Sequence, residues 1–454
     1  MITIMDEILR CILSILKQII DILHAIITSL LSFFRNTNSN SNSNFSFFNF
    51  QRSKTITFID SGINATIDTK IAEGGFSYIY SAHDVQSPTV KYALKRIMCP
   101  DEETIQLCQN EAKIHRILDH HVNAMTLLGM KFELDSNSSS SNASSGQVCY
   151  MLFPLITGGS LRDEITKRRL LQYGDTHYSH HHHNHNRDPQ YFTTIDILTI
   201  FHGVLKAVKA MHDAGYAHCD IKLENVMLDQ SNSNSSSSYV DEEMGSGITM
   251  TNSNSTTSSS NGNSSHNLGT PVLMDFGSAR PLVIQLRDRK TVLNLTEQAS
   301  QNSTVSYRAP ELFDGGCRHG PDEPNVDGKV DVWSCGCLLY ALMYGTSPFE
   351  MEFRHDGTIR IVECTHLRVL GGNIPFPQTD VMEASYGYRK ELKDLVQWIL
   401  VVDRKHRPDL DSLLMKVEKL VSSSSTTSIA STTTTAAAGN MSSFDGGVTR
   451  RAIV

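Results

Sequence analysis

One stretch, Gly215-Tyr216-Ala217-His218-Cys219-Asp220-Ile221-Lys222-Leu223-Glu224-Asn225-Val226-Met227-Leu228, constrains this chain more than any other. Its polar residues fall at set steps: Asp220, then Lys222 two residues on and Asn225 five residues on, before apolar residues that read as a buried strand. A carboxylate, an ammonium and an amide at that spacing suit phosphoryl transfer. The carboxylate accepts the proton of an attacking hydroxyl, the ammonium neutralises phosphate charge and the amide oxygen helps to hold a metal ion. Alone the spacing is a weak signal. It gains weight only if the other parts of such a site follow in order.

Composition narrows the setting. At 454 residues the chain would hold two or three average domains, and 40% of its residues are apolar, ample for a core despite long Ser/Asn tracts. A formal charge of -8 leaves no general basic face for nucleic acid. The nine cysteines are odd in number and scattered, without paired C-x-x-C spacing. They read as reduced thiols in a cytosolic compartment, not as a disulfide framework or a zinc site. Cys335 and Cys337 sit in an apolar run and read as small core residues.

Residues 1–35 are rich in Ile, Leu and Phe, with polar residues such as Asp6, Arg10, Ser14, Lys17, Asp21, His24 and Thr28 at steps of three or four. That pattern draws a narrow polar stripe along an otherwise apolar helix. Its longest charge-free part, 22–34, is shorter than the roughly 17 residues a membrane span needs. Asp6 and Glu7 also argue against a secretory signal. The helix reads as lying in a membrane interface, packing with a partner helix, or docking on the chain's own folded domain. Cys11 either carries an acyl chain or is apolar filling. Residues 36–58 read as an Asn/Ser-rich linker, and 421–454 as a disordered Ser/Thr/Ala-rich tail. Similar low-complexity inserts fall near 135–147, 172–190 and 230–268. The second carries a histidine cluster (His177, His180, His181, His182, His183, His185) in surroundings that give a metal no defined geometry.

With the inserts set aside, 63–71 and 78–83 read as a hairpin, 92–97 as a strand, 102–118 as a helix, and 125–132 and 148–153 as strands. Helices follow at 161–171, 195–214, 330–344 and 392–400. This is an α+β pattern: a small antiparallel-sheet lobe with one main helix, then a larger helical lobe, together spanning 59–420.

The remaining motifs lie on that frame. The hairpin turn reads Ala72-Glu73-Gly74-Gly75-Phe76-Ser77-Tyr78-Ile79; small residues there let backbone N–H groups approach phosphates. Ala93-Leu94-Lys95 ends a strand, and Glu111 lies on the helix after it. Phe153-Pro154-Leu155-Ile156 precedes a Gly-Gly turn, and Val272-Leu273-Met274-Asp275-Phe276-Gly277 runs from a strand into a turn. Thr304-Val305-Ser306-Tyr307-Arg308-Ala309-Pro310-Glu311, Asp331-Val332-Trp333 and Asp403-Arg404-Lys405-His406-Arg407-Pro408 complete the series. Taken singly, each has an ordinary structural reading: a tight hairpin, an exposed lysine, a solvated carboxylate, an interlobe connector.

Taken in order, they resemble the motifs of protein kinases, and so imply the two-lobed protein kinase fold. The resemblance implies ATP and Mg²⁺ as cofactors, with Asp220 as catalytic base, Lys222 neutralising phosphate charge, and Asn225 and Asp275 holding the metal. It also implies that the turn from Ala72 to Ser77, with Ile79 and Ala93, covers the nucleotide while Glu111 orients Lys95 on its phosphates. Phe153 would be the gatekeeper of the hinge, Pro154 and Ile156 would offer backbone groups to the base, and Leu155 lies between them. Pro154 has no N–H and contributes only its carbonyl. Thr304 would contact the catalytic loop, Asp331 would anchor it, and Arg407 would pair with Glu311.

More narrowly, Glu73-Gly74-Gly75-Phe76-Ser77, Tyr92-Ala93-Leu94-Lys95-Arg96-Ile97, Pro271-Val272-Leu273-Met274-Asp275 and Val305-Ser306-Tyr307-Arg308-Ala309-Pro310-Glu311 resemble the myristoylated and palmitoylated serine/threonine kinase family, related to the Numb-associated kinases. That likeness implies protein substrates with Ser/Thr acceptors and a cytoplasmic enzyme peripheral on Golgi or other endomembranes. There are two departures. Ile2 stands where acylation needs Gly, so the apolar N-terminal helix is expected to serve as the membrane contact instead. Cys219 stands where kinases usually carry an Arg that pairs with a phosphate on the activation segment. The expectation is a kinase that does not use that pair, either active without the phosphate or regulated differently. A membrane-bound pseudokinase scaffold, binding nucleotide or partners without catalysis, is the alternative.

Overall fold

The computed structural model describes residues 54–74, 77–134, 146–173, 192–231, 268–286, 288–314, 325–355, 358–377, 388 and 390–437. The expected N-terminal helix, most of the linker, Gly75, Phe76, the histidine cluster and most of the three inserts lie outside these residues.

The first lobe is a six-stranded sheet. Its strands are β1 (Thr55–Phe58), β2 (Ile63–Glu73), β3 (Ser77–Asp84), β4 (Lys91–Cys99), β5 (Gly129–Leu134) and β6 (Gln147–Pro154), in spatial order β1-β2-β3-β4-β6-β5. The pairings β2–β3, β3–β4, β4–β6 and β5–β6 are antiparallel. Alternation along β4 decides which face each residue serves. Tyr92 and Leu94 join the cluster with Ile56, Phe58 and Leu152, whereas Ala93, Ile97 and Cys99 join Cys108, Ala112 and Met151 on the opposite face. Lys95 has the parity of that second face. The face is covered by helix α1 (Glu102–Ile117), started by Asp101, whose carboxylate accepts the Thr104 N–H at 2.8 Å.

Two boundaries of this lobe differ from expectation. The last residues assigned to the linker form β1, because Ile56 and Phe58 are apolar at alternate positions and both are fully buried. The strand expected over 125–132 is confined to Gly129–Leu134. The preceding residues bond elsewhere: the Met125 N–H donates to the Leu273 carbonyl at 2.9 Å and the Leu128 N–H to Leu152 at 2.8 Å.

The second lobe opens with α2 (Leu161–Tyr173) and α3 (Thr194–Asp213), the latter begun by a reciprocal capping box between Thr193 and Asp196. Short strands follow: β7 (Tyr216–Ala217), β8 (Val226–Asp229), β9 (Thr270–Leu273) and β10 (Arg280–Pro281). The β8–β9 ladder pairs Val226 with Leu273 and Asp229 with Thr270, so the chain leaves and re-enters at the outer end of the hairpin. Next come α4 (Arg289–Asn302), α5 (Glu311–Asp314), α6 (Lys329–Tyr344), α7 (His366–Gly371), α8 (Lys390–Ile399) and α9 (Leu410–Ala437). Helix α6 is buried on all sides from Val330 to Tyr344, Cys335 and Cys337 included, and is the centre of the lobe's core. Helix α9 corrects the expected tail boundary at 421. Leu410, Leu413 and Val417 are buried on the lobe, and a helix nucleated by packing extends at the cost of one residue per added bond.

Candidate active site

The cleft between the lobes is built from both. Lys95 Nζ donates to Glu111 Oε1 at 2.7 Å and to Asp275 Oδ1 at 2.8 Å, joining strand β4, helix α1 and the turn after β9. Burial opposes charge on Lys95, but the two carboxylates outweigh it and hold the ammonium above its usual range. The Lys95 ammonium pulls the Asp275 carboxyl down to about 2, against the effect of burial. Burial pushes Glu111 upward, the ammonium only partly offsetting it. Asp275 sits at φ 64°, ψ 72°, left-handed backbone that a non-glycine residue adopts at a cost. Phe276 beside it is 1% exposed, so the strain is held by a buried ring on one side and an ion pair on the other.

The loop expected to be catalytic is pinned from beneath by Asp331 on α6. One of its oxygens accepts the His218 N–H at 2.7 Å and the other the Cys219 N–H at 2.8 Å, while His212 Nε2 lies 2.9 Å from the first. Burial alone would raise the Asp331 carboxyl; the His212 contact, the nearby His218 and the loop amide together hold it below its usual value. This tether fixes Cys219 at φ 67°. The next residue, Asp220, accepts four hydrogen bonds on its carboxylate, three from side chains and one from a backbone N–H. Its Oδ1 accepts Thr304 N at 2.9 Å and Thr304 Oγ1 at 2.8 Å; its Oδ2 accepts Lys222 Nζ at 2.7 Å and Asn225 Nδ2 at 3.2 Å. Lys222 also reaches Thr304 Oγ1 at 2.8 Å. Lys222, Asn225 and Thr304 therefore converge on the Asp220 carboxylate, so Thr304 contacts this loop.

Aromatic rings connect this loop to α1. Phe276 meets His218 edge-on at 5.6 Å and His115 at 4.5 Å, and His115 in turn meets Phe153 at 5.0 Å. Phe153, the expected gatekeeper, is thus packed behind the cleft. Leu155 spends its N–H on the Lys91 carbonyl at 3.4 Å, so its amide does not serve a base. At the hairpin turn the Gly74 N–H donates to the Ser77 carbonyl at 2.8 Å, and Ala72 and Glu73 pair with Ile79 and Tyr78. Glu73 makes an ion pair with Lys70, so its carboxylate is a surface group.

The activation segment is ordered by contacts the sequence did not reveal. Arg280, only 9% exposed, donates to the Leu295 carbonyl of α4 at 3.5 Å; Arg308 donates to the Ser303 carbonyl at 2.6 Å and to Ser303 Oγ at 2.8 Å. Arg308 thus meets the carbonyl of the residue that ends α4, where a helix dipole favours cations, whereas Arg280 meets a carbonyl in the middle of the helix. Cys219 is buried beside Arg280 and contributes no charge, its thiol pushed well up by burial. At the segment's end Arg407 grips Glu311 with two bonds of 2.8 and 3.0 Å, both side chains almost wholly buried, with Trp333 under the guanidinium at 5.0 Å. His115, His212, Arg280 and Arg308 were not singled out from sequence, because what marks them is a contact across the fold.

The donor set suits a divalent metal. Asn225 commits its Nδ2 to Asp220, which leaves its amide oxygen as a ligand, and the Asp275 side chain is 43% exposed with Oδ2 beyond the lysine contact. Two hard oxygens of this kind fit magnesium or its like. No cluster of three or more His, Cys, Asp or Glu side chains able to hold a metal occurs among the described residues.

An ion-paired lysine, a tethered loop with its Asp-Lys-Asn set and a strained Asp-Phe-Gly turn, carried by two lobes, define a protein kinase. The protein kinase domain model matches residues 65–417, and the chain belongs to that family. Serine/threonine-protein kinase 16 of Mus musculus is 29% identical over 351 residues, covering 77% of this chain and 88% of that protein. The Homo sapiens protein of that name is 28% identical over the same length. A Dictyostelium discoideum protein named "Probable serine/threonine-protein kinase" is 33% identical over 390 residues, 80% of this chain and 96% of its own. The chain is a serine/threonine protein kinase, related to a myristoylated and palmitoylated one.

Proposed function

We propose that this kinase transfers the γ-phosphoryl group of Mg-ATP to serine and threonine hydroxyls of proteins at an endomembrane surface, Golgi or vesicle, with residues 1–35 as its membrane contact. The observation that carries catalytic competence is the closed set of bonds around Asp220. A pseudokinase has no need to hold Asp220, Lys222, Asn225 and Thr304 in register. Asp220 stands to accept the hydroxyl proton as the acceptor oxygen attacks. Lys222 places its ammonium beside that carboxylate, where charge on the moving phosphoryl group is neutralised. Lys95 holds phosphate oxygens, its direction set by Glu111. Asn225 and Asp275 would hold the metal, which supplies charge neutralisation between the phosphates.

The membrane part rests on the amphipathic pattern of residues 1–35 and on the acylated relatives' family. Among the described residues no helix is long and apolar enough to cross a membrane, and residues 1–35 lie outside them. The test is transfer of labelled phosphate by the purified full chain, to itself and to a panel of generic protein substrates, beside Asp220→Asn and Lys95→Met. Incorporation on Ser/Thr that falls on the order of a hundredfold or more in both variants is expected. Silence of the parent on every substrate would move the chain to the scaffold class. A fluorescent fusion of residues 1–54 that stays diffuse would remove the membrane contact.

A further inference from the structure

Three cysteines of the first lobe meet where β4, α1 and β6 pack together. Cys99 ends β4, Cys108 lies on α1 one turn before Glu111, and Cys149 is on β6; they are 1%, 2% and 0% exposed. Cys99 Sγ lies 3.7 Å from Cys108 Sγ, and Cys149 packs in the same core cluster. Size alone explains one buried cysteine in a core, since it behaves as a small apolar residue. It does not explain three sulfurs on three elements brought to one point. Cys99 also donates weakly to the Ile97 carbonyl at 3.7 Å.

We propose that Cys99 and Cys108 are an oxidative modification site, which peroxide converts to a disulfide that clamps α1 to β4. Lys95 and Glu111 sit on the two elements so joined, and the link lies one helical turn from Glu111. The clamp therefore holds the helix in the position where the 2.7 Å Lys95–Glu111 pair is made.

The steps balance as follows. Cys108 as thiolate attacks one oxygen of hydrogen peroxide; the O–O bond breaks, a sulfenic acid forms, and the hydroxide that leaves takes up a proton to give water. The Cys99 sulfur then attacks the sulfenic sulfur, the S–O bond breaks, and a second water leaves with the Cys99 proton. Two thiols are oxidised and one peroxide is reduced to two waters. Cys108 is the attacking group because the neighbouring Cys149 and then Cys99 thiols lower its proton affinity against the opposing effect of burial, the Lys95 ammonium adding least, whereas burial raises that of Cys99 to about 12. The sulfurs must approach from 3.7 Å to the bond length of about 2.05 Å, a shift that side-chain rotation and a small movement of α1 supply. Because the trio is buried, peroxide reaches it in brief openings of α1.

The experiment oxidises the purified full chain with hydrogen peroxide, blocks remaining thiols with N-ethylmaleimide after unfolding, and maps the peptides by mass spectrometry. Cys364, partly exposed on the second lobe, is the internal reference. The expected result is loss of alkylation at Cys99 and Cys108 together, a cross-linked peptide pair lighter by two hydrogens, and recovery of both thiols with dithiothreitol. The oxidised protein is also expected to melt at a higher temperature than the reduced one, an increment absent in Cys99→Ser and in Cys108→Ser. Oxidation of Cys364 with all three cluster thiols still alkylated would overturn the proposal. So would a Cys108–Cys149 link in place of Cys99–Cys108, or a cross-link that leaves the melting temperature unmoved.

Discussion

His115 makes the stability of this kinase depend on pH in a way that can be worked from its surroundings. The residue is 1% exposed on α1, and its Nδ1 lies 2.7 Å from the Met125 carbonyl. A carbonyl only accepts, so Nδ1 carries the hydrogen and the ring is neutral with a bare Nε2. That Nε2 is buried without a hydrogen-bond partner, its nearest carboxylate oxygen being Glu111 Oε1 at 4.0 Å. Phe153 and Phe276 flank the ring, and Lys95, Asp275 and His218 act on it from the cleft. Burial dominates, and the imidazole is pushed down from 6.5 to about 4. The unfolded chain therefore takes up a proton as pH falls through 6.5, while the folded chain refuses it until about 4. Stability is lost over that window, by about 2 kcal/mol at pH 5 and about 3 kcal/mol once pH is below 4, at 1.36 kcal/mol per pH unit.

His115→Phe keeps an aromatic ring between Phe153 and Phe276 and cannot titrate. It costs a constant amount, about 1–3 kcal/mol, for the Met125 carbonyl left without its donor. The parent should thus be the more stable protein at pH 7.5, and its advantage should shrink by about 2 kcal/mol by pH 5. Thermal and urea unfolding followed by circular dichroism, parent against variant across that range, measures the difference and cancels the titration of every other group. Curves that stay parallel from pH 7.5 to pH 5 would refute the neutral, buried assignment of His115.

Other substitutions test separate links. Asp331→Asn keeps one acceptor oxygen for two loop amides, so one buried bond worth about 1.5–3 kcal/mol is lost; kcat should fall about tenfold to a hundredfold, more than substrate KM changes, in steady-state assays. Arg407→Leu leaves Glu311 buried and unpaired at about 3–5 kcal/mol; calorimetry should show a large drop in melting temperature, and a change under about 1 kcal/mol would contradict the pairing. Cys219→Arg introduces a further guanidinium, too large for the buried place of a thiol, beside Arg280; a loss of about 2 kcal/mol, reduced by added sulfate, is expected in thermal melts, and an unchanged melt would show that the cations find solvent.

The catalytic apparatus was legible in the chain because chemistry restricts it to particular residue types at particular steps. Asp220, Lys222 and Asn225 stand out by their spacing, Lys95, Glu111 and Asp275 are named through the resemblance to kinase motifs in their order, and the structure brings all six to one cleft. The pairing of Glu311 with Arg407 is likewise implied by the resemblance, and it is made. Element boundaries were less legible. Nothing local separates Ile56 and Phe58 from the polar linker before them, and their strand exists only because β2 lies alongside. Nor could composition show that α9 continues into a Ser/Thr-rich segment, since its start is fixed by packing of Leu413 and Val417 on the second lobe.

What the sequence by itself determined, then, is the reaction class and the identity of the groups that perform it. Local patterning also set the split into a sheet lobe and a helical lobe, through periods of two and 3.6. Only the tertiary structure decided how the activation segment is held. Arg280 and Arg308 find the carbonyls of α4 across turns of chain that no spacing rule connects. The ionisation of His115 and the meeting of Cys99, Cys108 and Cys149 belong to the same category. Each depends on which atoms surround a side chain once water has been removed, and that is a property of the packed fold.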